Sequence, residues 1–288
     1  MKPKQPRQGR RMDKRIQSVF QGSIARRHPA VRDTRLTSFR TVSVALALLL
    51  TGGATFARAD ERMEIRSSAN FVLSVPSKTL TVAALKQAEI LRKRIAIQWL
   101  GQELTPGESF ADIHIALTAI DEEDSGRLWL ANQATGRPHM MWLTGSREDV
   151  LGAGLAHEIA HVVLAARFPD GMPAWVNEGI ASSYDDGERV EIRLRIMRRI
   201  SETSAWPSID EILTAREIDP SDQTAYTFAS SLTEFFLTLG DRRTFLKFVG
   251  LARTSGWDVA IRETYALQGR GELQSRWQRW AAAPRTIL

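Results

Sequence analysis

The chain has 288 residues, with 39 Lys or Arg, 33 Asp or Glu and a formal net charge of +6. It contains no cysteine, which excludes disulfides, thiolate nucleophiles and iron–sulfur ligation and leaves His and carboxylate to build any transition-metal site. The positive charge sits at one end: Met1 to Ala59 carries 13 basic and 2 acidic residues, while the remainder carries 26 basic and 31 acidic ones, so basicity gives no support to nucleic-acid binding by the body.

Residues 1–59 read as a signal peptide with a long basic n-region. Arg40 precedes the apolar run TVSVALALLL at 41–50, and Ala57-Arg58-Ala59 supplies an A-x-A cleavage site. Cleavage is expected after Ala59, exporting residues 60–288 as one domain, secreted or held in the periplasm or cell envelope. The uncharged run from Thr41 to Ala57 is 17 residues long, at the lower limit of the roughly 17–25 that span a bilayer. An uncleaved anchor is therefore the alternative, and the one route by which a membrane becomes a partner.

Residues 63–75 read as a strand or a pair of short strands closed by Pro76. From Thr81 to Leu100, Val82, Leu85, Ala88, Leu91, Ile95 and Trp99 recur at helical spacing, and Gly101 ends the run. ADIHIAL at 111–117 alternates as a strand does, and RLWLA at 127–131 and HMMWLTG at 139–145 are two further strand candidates. The DEEDSG stretch at 121–126 lacks the alternating ligand spacing of a calcium loop and reads as a solvated acidic loop.

After Gly145 the pattern turns helical. One helix is expected over 146–168 and another over 173–184, with Pro173 suited to a first turn. Residues 188–200 are a third, whose arginines are expected on a solvated face. Helices over 225–239, 242–252 and 272–283 follow, the last with Trp277 and Trp280 as packing anchors. Strands first and helices after give an α+β fold: a small N-terminal sheet with a helix packed on it, then a mainly helical half. HMMWLTG is either a core strand or the sheet edge on which an extended peptide adds. His114 and His139 are expected in ordinary surface or turn roles.

AHEIAH at 156–161 places polar side chains in an otherwise apolar helix. Residues four apart lie one above the other, so His157 and His161 aim two imidazoles at one point, while Glu158, about 100° around the axis, flanks it. This is the H-E-x-x-H pattern of two zinc ligands and a carboxylate. A catalytic zinc takes three protein ligands and keeps a fourth position open. The metzincin continuation is excluded, because Leu164 and Arg167 stand where it needs Gly and His. Glu178 lies 17 residues beyond His161, in PAWVNEGIAS, and the short FPDGM turn would fold its helix back towards the histidines.

AHEIAH followed by PAWVNEGIAS resembles the gluzincin clan of zinc metallopeptidases, and most closely the bacterial peptidase-MA-like domains that pair HExxH with a W-x-x-EG-x-A helix. The match covers about residues 150–185, with weaker similarity in AYTFASSLTEFF and SRWQRWA. The resemblance implies Zn2+ held by His157, His161 and Glu178, Glu158 as general base, and a peptide or protein as substrate. It also implies hydrolysis by a zinc-activated water and an oxyanion stabiliser from a downstream helix, for which Tyr226 is the candidate. Thermolysin-like members carry Asp at the fourth position after the third ligand, but here that residue is Ser182, leaving Asp185 or Asp186 to steady a zinc histidine. The runner-up reading is a catalytically silent, peptidase-like binding module of the cell envelope.

Overall fold

The computed structural model describes residues 64–75, 78–117, 125–130 and 137–283, all within one unit, Arg58–Leu288. The expected signal peptide and Asp121 to Asp124 of the acidic loop lie outside the described residues. The fold is α+β, as its order of strands and helices predicts.

The first strand signal resolves into a hairpin, β1 (Glu64–Ser67) and β2 (Phe71–Val75). Helix α1 (Lys78–Leu100) then carries the chain across to β3 (Ala111–Leu117), which pairs parallel to β2 and therefore needs such a crossover. Strands β4 (Ser125–Trp129) and β5 (His139–Gly145) complete a five-stranded sheet of order β1-β2-β3-β5-β4. Its inner face is apolar: Phe71, Leu73 and Val75 of β2, Ile113 and Ile115 of β3, and Met141 and Leu143 of β5 are all buried. On the opposite face Trp142 stacks on His114, its ring partly open to solvent.

HMMWLTG is thus not an edge. It pairs with β3 on one side and β4 on the other, and its alternate residues fill the core. Among the described residues the edge strands are β1 and β4. His139, expected at a surface or turn, is buried at the start of β5.

The single helix expected over 146–168 is two, α2 (Arg147–Leu151) and α3 (Ala153–Arg167). The break is at Gly152, whose ψ of −114° leaves the helical region and where a Cβ would stand 2.7 Å from the Glu148 carbonyl oxygen. Asp149 spans the break, accepting the Gly154 N–H at 3.2 Å. Helix α3 is buried along most of its length, against α1 and the inner face of β4 and β5.

Helix α4 (Ala174–Ala181) and a 3-10 turn (Ser182–Tyr184) follow, then α5 (Gly187–Thr203), α6 (Ile209–Thr214), α7 (Gln223–Leu239), α8 (Arg242–Ser255), α9 (Trp257–Tyr265) and α10 (Arg270–Ala282). Helices α6 and α9 were not expected from the sequence, being 6 and 9 residues long, too short for helical periodicity to declare itself. The helical half has its own aromatic core, in which Trp175 of α4 meets Phe236, Phe245 and Trp257 at centroid distances of 5.8–6.0 Å. Trp277 anchors α10 by burial and by an Nε1–H bond to Ser231 Oγ at 3.1 Å.

Gly179 sets how closely α4 approaches α7. A Cβ there would overlap both Thr233 Oγ1 and the Ala229 carbonyl oxygen, so the two helices touch through backbone. Gly179→Ala is expected to cost about 1–3 kcal/mol by overpacking. Denaturant unfolding of the two proteins measures it, and equal midpoints would refute the contact.

Candidate metal centre

Three side chains from two helices converge on one point. His157 and His161 project from the same face of α3, their rings 5.0 Å apart and nearly perpendicular. Glu178, on α4, reaches them because the turn at Gly171, where φ is +82°, reverses the chain after Phe168. Its Oε2 lies 3.6 Å from His157 Nε2 and 3.7 Å from His161 Nε2. One ligand atom from each residue lies within 4.8 Å of the others, making this a group able to hold a metal ion.

The donor set and spacing fit a zinc-type ion. Tetrahedral coordination with bonds of about 2.0–2.1 Å separates neighbouring ligand atoms by about 3.3 Å, a few tenths less than the His–Glu distances here. His157 and Glu178 keep 16% and 18% of their side-chain surfaces exposed, so neither is sealed from solvent. Two nitrogens and one carboxylate oxygen suit a borderline-soft divalent cation better than calcium or magnesium, which prefer all-oxygen shells.

The partners of His157 settle its ring orientation. Asp185 Oδ1 lies 2.9 Å from Nδ1, so Nδ1 carries the proton shared with the carboxylate and Nε2 faces Glu178. Of the two aspartates considered for this role, Asp185 fills it. Asp186 instead caps α5, accepting the Arg189 N–H at 2.8 Å. Ser182 contributes no such bond, and its buried Oγ has no hydrogen-bond partner among the described residues. Nor does the buried Nδ1 of His161, so the two imidazoles are held unequally.

The charges around the triangle are strongly coupled. Burial opposes a proton on His157, but the Asp185 and Glu178 carboxylates outweigh it and raise its pKa to about 10 in the metal-free chain. Burial likewise works against the charged forms of Glu178 and Asp185. The histidines hold Glu178 below the ordinary carboxyl range, with help from Tyr226, and His157 and Arg193 do the same for Asp185.

Glu158 behaves in the opposite sense. Its side chain is buried rather than exposed beside the triangle, and desolvation raises its pKa despite the nearby histidines. Above it passes β4, where a Cβ on Gly126 would overlap Glu158 Oε1. Tyr226, in the first turn of α7, lies near enough to Glu178 for the two side chains to interact. Burial and the Glu178 and Glu158 charges push its hydroxyl well above the usual phenol range, keeping it a donor.

Residues 157, 158, 161, 178 and 226 are therefore brought together as the sequence suggests. Trp175 is fully buried packing. The arginines of α5 are not all solvated. Arg193 is buried and donates to Asp185 Oδ2 at 2.7 Å, and Arg189 bonds Asp149 at 2.9 Å and Asp186 at 2.7 Å. Their i, i+4 spacing across from Asp185 and Asp186 was the available signal. No family model, no curated protein and no solved structure matches the chain.

Proposed function

We propose that this protein is a zinc-dependent peptidase of the gluzincin type, exported as its N-terminal sequence suggests. The observation that carries the reading is the triangle of His157 Nε2, His161 Nε2 and Glu178 Oε2, with two of its side chains partly exposed and a buried carboxyl group beside it that takes no part in it.

His157, His161 and Glu178 would hold the ion. A zinc-type cation bound there supplies Lewis-acid chemistry, acidifying water and polarising a carbonyl. The remaining work falls to side chains of this chain. Glu158, its basicity raised by burial, accepts the proton of the attacking water and returns it to the leaving amine. Tyr226, kept as a hydroxyl by burial and the surrounding carboxylates, would donate to a developing oxyanion. The β4 edge has no strand partner on its outer side among the described residues, and Gly126 of that strand borders Glu158. An extended peptide added along β4 would run past the base, which favours peptide over small-molecule substrates.

Turnover of a quenched peptide library tests the reading. Hydrolysis is expected from the metal-loaded chain, abolished by a chelator and restored by returned zinc. A chain that binds zinc stoichiometrically yet cleaves no peptide would favour the silent binding module instead.

A further inference from the structure

Arg193 lies 36 positions from His157 in sequence and touches neither the metal triangle nor Glu158 in any bond described. Its guanidinium is nevertheless buried and has two partners: NH1 donates to Asp185 Oδ2 at 2.7 Å, and NH2 to the Ser182 backbone carbonyl at 3.4 Å. The other oxygen of the same carboxylate, Oδ1, meets His157 Nδ1 at 2.9 Å.

We infer that Arg193 is a positioning residue of the metal centre, acting on His157 through Asp185. A carboxylate with a single partner can rotate about its last bond. Held at Oδ2 by one arm of a planar guanidinium whose other arm is fixed to backbone, Asp185 presents Oδ1 to His157 in one orientation. That orientation keeps the proton on Nδ1 and the Nε2 lone pair directed at the triangle. The 3-10 turn that Asp185 caps follows directly from α4, so the same clamp ties the third ligand's helix to α5. His161 has no counterpart, because its Nδ1 is unpartnered. His157 is thus the imidazole whose geometry depends on distant residues.

The inference rests on the metal-centre reading above but not on hydrolysis. The test is zinc affinity of the full chain, measured by competition with a chromophoric chelator, for wild type, Arg193→Met, Asp185→Asn and the double variant. Arg193→Met is expected to weaken zinc binding about tenfold, the lower end of what outer partners of a ligand contribute. Asp185→Asn is expected to weaken it at least as much, and the double variant no further than Asp185→Asn alone, because Arg193 has nothing left to orient. Wild-type affinity in Arg193→Met, or losses that add in the double variant, would overturn the assignment. Should Arg193→Met fail to unfold cooperatively, Arg193→Gln takes its place, and a chain that tolerates neither would make Arg193 a structural brace and end the proposal. A wild-type chain that binds no zinc would instead refute the metal centre itself.

Discussion

Glu158→Gln should retain zinc and lose hydrolysis, with kcat/KM falling about 10²–10⁴-fold, the range set by removing a positioned general base. The two side chains have nearly the same shape, so the amide fits the space beneath Gly126. The carboxyl group lies outside the His157, His161 and Glu178 group, so no ligand is lost. Its burial disfavours charge, and the neutral amide removes that penalty, so the variant should unfold no earlier than wild type. Metal content by elemental analysis and kinetics on one peptide suffice to check this. Undiminished turnover would remove Glu158 from the mechanism, and loss of zinc would place it among the ligands.

Zinc affinity should rise steeply with pH. A ligand imidazole must be unprotonated, yet Asp185 and Glu178 hold a proton on His157 up to about pH 10 when the metal is absent. Below that value, binding displaces one proton. The apparent affinity should therefore climb about tenfold per pH unit, roughly a thousandfold between pH 6 and pH 9. An ordinary histidine, titrating near about 6.5, would give a profile already flat by pH 8. Competition with a chelator of known protonation behaviour measures the slope. Calorimetry in buffers of different ionisation enthalpy counts the proton released. A flat profile above pH 7 would mean that the Asp185 to His157 contact is not made in solution.

Both expectations trace to features of different legibility. The placement of His157, Glu158 and His161 was readable because a helix fixes its own geometry: spacing of four aligns side chains whatever surrounds them. Glu178 was readable because the link from α3 to α4 is short, and a short link between helices leaves little besides antiparallel return. The order of strands and helices gave the α+β class for the same local reasons. Periodicity did not reveal Gly152, where one residue out of helical register splits an apolar run into α2 and α3, because the pattern of side chains continues across the break.

Other features depended on pairings between distant residues. HMMWLTG and RLWLA both read as strands, but which of them holds the edge depends on hydrogen-bond partners, and those placed β5 inside and β4 outside. Asp185 and Asp186 are neighbours of identical chemistry. The backbone leaving the 3-10 turn points one at His157 and turns the other into the cap of α5. Arg193 looks like any surface arginine in a basic helix until the packing of α5 encloses it against that carboxylate.

By itself, then, the sequence determined what lies within a few turns of backbone: most of the elements, the histidine pair, Glu158 beside it and the carboxylate folded back from the next helix. Tertiary structure alone decided which strand borders Glu158, which aspartate orients the first histidine, and which arginine holds that aspartate. The reason is physical. Local geometry follows from covalent spacing and hydrogen bonds a few residues long, whereas these later choices are made by burial, which selects among chemically equivalent side chains only once distant segments have packed together.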